Sequence, residues 1–152
     1  MHPLSNFFSE SDRRYLNVDE LKSLGGYSQS LPQRLKIYRQ IRDQELALLQ
    51  PVADKLELQC VGESTAALER SLKLAIAVLR ASAMAMLIND MSSLDDTLRW
   101  VEQSQKSYSS QATDQQCFNL LAQQLQRSLQ PNQFQLLAPY LKPFQQLPAA
   151  IA

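Results

Sequence analysis

From Leu74 to Ile88 every position is apolar except Arg80 and Ser82. The enclosing stretch, Ser64 to Asp90, is more apolar on all sides than a surface helix. It predicts a central, buried helix. Broken by an arginine, the apolar run falls short of the roughly 20 residues that span a bilayer. The other segments carry one-sided patterns. Pro3 to Arg14 reads as a short amphipathic helix with Leu4, Phe7 and Phe8. A second short helix, capped by Asn17 or Asp19, is expected to stop and turn at Gly25-Gly26. Ser30 and Pro32 then open a longer helix through Leu35, Tyr38, Ile41 and Leu49, with a kink or break at Pro51.

Beyond Asn89-Asp90, Ser93 with Asp96 has the spacing of a capping box for a helix bearing Leu94, Leu98 and Val101 and closing at Tyr108. The run SSQATDQQ reads as a polar turn, and Thr113 with Gln116 repeats the capping pattern ahead of Phe118, Leu121 and Leu125. Pro131 separates a last helix, irregular at Pro139 and Pro143, whose Phe134, Leu137, Tyr140, Leu141 and Phe144 share one side. The tail LPAAIA is expected to be loose. Glutamine enrichment from Gln103 to Gln146 is interleaved with regular apolar positions and reads as a solvated helix face. Three glycines leave little turn chemistry for hairpins. The expected class is all-α.

At 152 residues the chain can bury one substantial core, and its 15 basic and 15 acidic residues create no net field toward nucleic acid or anionic lipid. Protein partners are the expectation. Cys60 and Cys117 lie far apart without metal-ligand spacing, and no signal-peptide pattern opens the chain, so a reducing, cytoplasmic location is expected.

No catalytic or metal constellation is visible. His2 is the sole histidine, which removes a proximal haem ligand and His-based acid-base chemistry. Asp95-Asp96 reads as first-turn acidity, Met84 and Met86 as core filling, and Trp100 as a core or groove filler. Cys60, in a connecting loop, is a minor candidate for cofactor attachment. Arg80 is costly inside an apolar helix unless paired. A partner's carboxylate, a carboxylate of this chain and solvent exposure all remain open for it.

The text LRASAMAMLINDMSSLDDTLRWVEQSQKSY resembles the phycobiliprotein family through Leu79-Arg80, Ala85-Met86-Leu87, Asp90, Ser93, Leu94-Asp95, Leu98 and Tyr108. Tyr15-Leu16, Leu21, Leu24, Tyr27 and Arg34 keep the family's spacing, as does the C-terminal LAPYLKPF. The resemblance implies a globin-like helical domain with two extra N-terminal helices: residues 1–26 packing on a partner and residues 27–146 forming the core. Ser71 stands where the family has its bilin-bearing cysteine, with Lys73 and Leu74 in place of an Arg-Asp pair and Ala77 and Val78 in place of tyrosines. The loop before this helix is about seven residues short on that alignment, and no second attachment cysteine occurs near Asn132-Gln133. No covalent bilin is therefore expected.

Glu10, Tyr15 and Arg80 match the family's subunit-pairing positions and, with Leu4, Phe7 and Phe8, make the expected interface. The resemblance implies a non-enzymatic, bilin-free protein that binds phycobilisome subunits or itself, at the cytoplasmic face of the thylakoid. Its alternatives are a noncovalent tetrapyrrole carrier, a bilin lyase or isomerase, and a helical sensor domain.

Overall fold

The computed structural model describes residues 17–147, which form six α-helices, one 3₁₀ turn and no strand. They are α1 (Val18–Asp43), α2 (Glu45–Gln59), α3 (Thr65–Ile88), the 3₁₀ turn (Met91–Leu94), α4 (Asp95–Tyr108), α5 (Gln111–Ser128) and α6 (Pro131–Gln145). The fold is all-α, as the periodicity implies. The expected helix over Pro3–Arg14, with Leu4, Phe7, Phe8, Glu10 and Tyr15, lies outside the described residues, as does the tail beyond Leu147.

Helix α3 touches every other element: α1, α2, α4, α5, α6 and the 3₁₀ turn. Its inner face, including Leu74, Ala75, Val78, Leu79, Ala83 and Met86, is almost wholly removed from water. At roughly 25 cal/mol per Å² of apolar area, this burial is the main force organising the chain around α3. Phe118 of α5 and Phe144 of α6 meet edge-to-face beneath it at 6.5 Å. By length and composition α3 could cross a membrane, since the helix has 24 residues and contains a window of mean hydropathy 1.7. Here half of that window is buried inside the fold.

The C-terminal end of α3 meets protein rather than open solvent. Asn89 closes it in the left-handed region at φ 53°, and its N–H reaches the carbonyls of Ala85 and Met86. Arg34 Nη1 donates to Met86 O at 2.6 Å and Tyr27 Oη to Leu87 O at 2.9 Å. The charge on Arg34 also suits the negative end of the helix dipole. Tyr140 adds a bond to the Asn89 side chain at 3.0 Å.

Several local expectations are overturned. Helix α1 does not stop at Gly25-Gly26 but runs through both, and neither glycine adopts a positive φ. Ser30 and Pro32 accordingly lie inside α1, where the Ser30 hydroxyl donates to Tyr27 O. The break falls at Gln44 instead of Pro51, which sits within α2. Pro32, Pro51, Pro139 and Pro143 are tolerated because Ser28, Ala47, Gln135 and Pro139, four residues earlier, are exposed; water can take the carbonyls left unpaired.

Ser93 caps nothing: Asp90 caps the 3₁₀ turn through Ser92 N, and α4 starts at Asp95 without a side-chain cap. The SSQATDQQ turn shrinks to Ser109-Ser110, because α5 begins at Gln111 and takes Thr113 into its first turn. Asn17, by contrast, caps α1 as expected, accepting from Glu20 N at 2.8 Å.

A Cβ built on Gly25 or Gly26 would meet nothing within 4 Å. Replacing each by alanine should therefore stabilise the protein by about 0.5–1 kcal/mol, the backbone entropy a helical glycine loses. A raised melting temperature for Gly25→Ala with Gly26→Ala is the expected result. A lowered one would mean that this segment turns at the glycine pair after all.

Candidate functional site

Helix α3 is not buried on all sides. Glu69, Lys73, Arg80 and Met84 recur on its outward edge and are exposed. Met84 thus departs from the expected core role, at 42% exposure, while Met86 keeps it at 0%. The sequence misleads here because methionine tolerates either setting.

Two grooves flank this ridge. The first, about 470 Å³, runs between the first half of α3 and α4 and is lined by Ala66, Glu69, Arg70, Lys73, Leu74, Trp100, Ser104 and Tyr108. Arg70 lies over the Tyr108 ring at 3.8 Å, a cation–π contact. Trp100 is 48% exposed and lines the groove. The second, about 330 Å³, lies where the α1–α2 elbow meets α3; Tyr38, Ile41, Arg42, Glu45, Arg80, Ala83 and Met84 line it.

Of the three outcomes open for Arg80, the structure shows a pair within the chain. Its Nε donates to Glu45 Oε1 at 2.7 Å and its Nη2 to Oε2 at 3.0 Å. This fork ties the first residue of α2 to α3. The Arg80 side chain stays 68% exposed, so solvent screening keeps the pair's contribution small. The Arg80 hydrogen bond holds the Glu45 carboxyl below its ordinary 4.5, outweighing a partial burial that pushes the other way. Arg80 therefore needs no partner's carboxylate to satisfy its charge, and it remains reachable.

Ser71, Lys73 and Leu74, the three positions that the resemblance sets against a bilin site, face different surroundings. Ser71 is wholly buried and donates to Asp114 Oδ1 at 2.6 Å. The other oxygen of Asp114 accepts from Ser110 at 2.7 Å. Leu74 is buried in the core, and Lys73 opens into the first groove. Behind Ser71, the Cys117 thiol faces the Ser71 carbonyl at 3.7 Å. Burial first, then the nearby Asp114 and Cys60, push this thiol up to about 12, so it stays protonated.

Cys60 closes α2 and is half-buried. Burial, then Glu63, raise its thiol as well, which lowers its thiolate fraction and its value as an attachment nucleophile. Among the described residues no group of His, Cys, Asp and Glu could hold a metal ion.

Sequence reasoning placed Glu45 on a charged helix face without pairing it with Arg80, and it missed Asp114 and Arg70. Arg80 signalled that a carboxylate was needed, without saying which. Asp114 carried a signal too, as the only acidic residue after Ser109, but was absorbed into a supposed polar turn. No protein-family model matches the chain, and no curated protein matches it significantly.

The pairing sets a pH dependence. A carboxyl held below its ordinary value in the folded chain contributes fully above its unfolded pKa, and that contribution fades as pH falls through the folded pKa. Wild type should therefore lose stability below about pH 5 more steeply than Glu45→Gln, while the two keep a constant difference near neutrality. Denaturant midpoints of both proteins across the acid range give the comparison. Parallel curves would mean that the pair contributes nothing.

Proposed function

We propose that the chain is a bilin-free, non-enzymatic binding protein of phycobiliprotein-like, globin-like build, joining phycobilisome or related proteins in assembly, attachment, regulation or turnover. One observation carries the reading: at the position of the family's attachment cysteine, the Ser71 hydroxyl is turned inward and held by the buried Asp114. The position offers neither a thiol nor an exposed side chain, so a covalent chromophore has no anchor there. What this helix presents outward is a ridge suited to protein contact, with the apolar Met84 beside the Arg80–Glu45 fork. A planar guanidinium next to an accessible methionine is a common composition for interface cores. The N-terminal Leu4, Phe7, Phe8, Glu10 and Tyr15 would extend the contact. The proposed setting is the cytoplasmic face of the thylakoid.

A second reading, a noncovalent tetrapyrrole carrier, is favoured by the first groove. Trp100 and Tyr108 offer stacking and apolar surface there, and Arg70 with Lys73 would suit the propionates of such a ligand.

Purified full-length chain, immobilised, should capture purified phycobiliprotein subunits and should be colourless after co-expression with a bilin supply and a lyase. Met84→Asp and Arg80→Glu should each reduce capture while circular dichroism stays helical. If wild type captures no subunit, the binding reading fails. A coloured protein whose pigment is released on denaturation would replace it with the carrier reading. Zinc-enhanced fluorescence of a denatured band mapping to Cys60 would overturn the bilin-free assignment altogether.

A further inference from the structure

Charge is unevenly shared along this chain. Of 15 acidic and 15 basic residues, the segment from Ser109 to the end carries only Asp114, Arg127 and Lys142, alongside eleven glutamines. Asp114 is fully buried, so the described surface of α5 and α6 presents no carboxylate at all. A uniformly solvated face would gain from the mixed charges found elsewhere on this protein. Depletion of charge is instead what marks the core of a protein interface.

The geometry gives that surface a shape. A groove of about 320 Å³ runs between α5 and α6, with Ala122, Phe134, Ala138 and Leu141 on its floor. Its α5 rim is made of Asn119, Gln123 and Gln126, spaced i, i+4, i+7 on one line of the helix, and all three are exposed. Gln145 donates across the groove to Asn119 at 3.2 Å. Lys142, the groove's sole charged residue, is exposed at the rim, where its stem can lie along the wall while the ammonium reaches water.

We propose that this α5–α6 face is a homotypic interface on which a second copy of the same chain docks, independent of the α3 ridge. The choice of occupant follows from the chemistry of the rim. An amide group both donates and accepts, so a row of amides can pair with its own image across a two-fold axis, whereas a row of carboxylates or ammonium groups would repel its image. Alanines at the centre of the floor let a neighbouring helix approach closely, and the half-buried Phe134 supplies apolar area to cover. Within the groove a strongly charged partner would find only Lys142 to pair with, and Arg127 lies beyond the lining residues.

Sedimentation velocity of the full chain, from low to high micromolar concentration, is the test. Wild type should show a reversible monomer–dimer equilibrium. The double variant Gln123→Glu with Gln126→Glu changes two exposed amides into near-isosteric carboxylates and leaves the core untouched. Placed opposite their own images, these charges should weaken the dimer about tenfold or more, with partial recovery in high salt as repulsion is screened. Met84→Asp, on the α3 ridge, should dimerise as wild type does. The proposal is overturned if wild type is monomeric throughout, if the glutamate variant dimerises unchanged, or if Met84→Asp abolishes the dimer and the glutamate variant does not. Because the subunit-capture experiment uses Met84 and Arg80, failure there leaves this equilibrium unaffected.

Discussion

A long apolar helix that ends inside a protein must have its last carbonyls satisfied by that protein, and the constraint falls here on the end of α3. Burying the inner face of α3 draws all the other helices around it, but the free carbonyls of its last turn would then be stranded. Arg34 and Tyr27 from α1, together with the left-handed Asn89 and the N–H of Asp90, supply the donors. The same bonds fasten α1, whose own buried residues are only Ile37 and Ile41. Hydrophobic burial places α3, and polar closure of its C-terminal end positions α1.

A second polar lock sits at the other end of the same helix. Asp114 enters the core in the first turn of α5, where the helix dipole favours negative charge, and accepts hydroxyls from Ser71 and Ser110. Losing either hydroxyl would leave part of a buried carboxylate without a partner, at a cost of about 1–3 kcal/mol. This local requirement gives Ser71 a structural reason to be serine, independent of any resemblance. The buried, protonated Cys117 beside it belongs to the same packed layer between α3 and α5.

The outer surface divides by chemistry. The α3 edge and its grooves present charged, aromatic and methionine side chains, several already joined in pairs such as Arg80 with Glu45 and Arg70 with Tyr108. The α5–α6 surface presents amides over a floor of small and apolar residues. Charged pairs discriminate among partners by sign and position, whereas amide rows suit a surface that meets its own image. Both surfaces lie on helices held by one core, so neither depends on a loop for its shape.

The sequence alone determined the helical class, the central place of α3, its end at Asn89-Asp90 and most of the buried stripe on α5 and α6. Each of these follows from residue spacing at the helical period or from a local cap, and such signals act over a few positions. The places where local signals competed were decided otherwise. Gly25-Gly26 could turn or continue, and Ser93 and Thr113 could cap or sit inside a turn; at Ser93 the neighbouring Asp90 took the cap, and at the other two positions long-range contacts accompany the outcome. The tie from Tyr27 to Leu87 fits a continuous α1, and the burial of Asp114 draws the start of α5 back past Thr113. Pairings that span the chain were beyond local reading: Arg80 finds Glu45 35 positions away and Ser71 finds Asp114 43 positions away. A sequence can show that a buried or half-buried charge needs a partner. Which partner arrives depends on how helices cross, and that is set by the packing of the whole core.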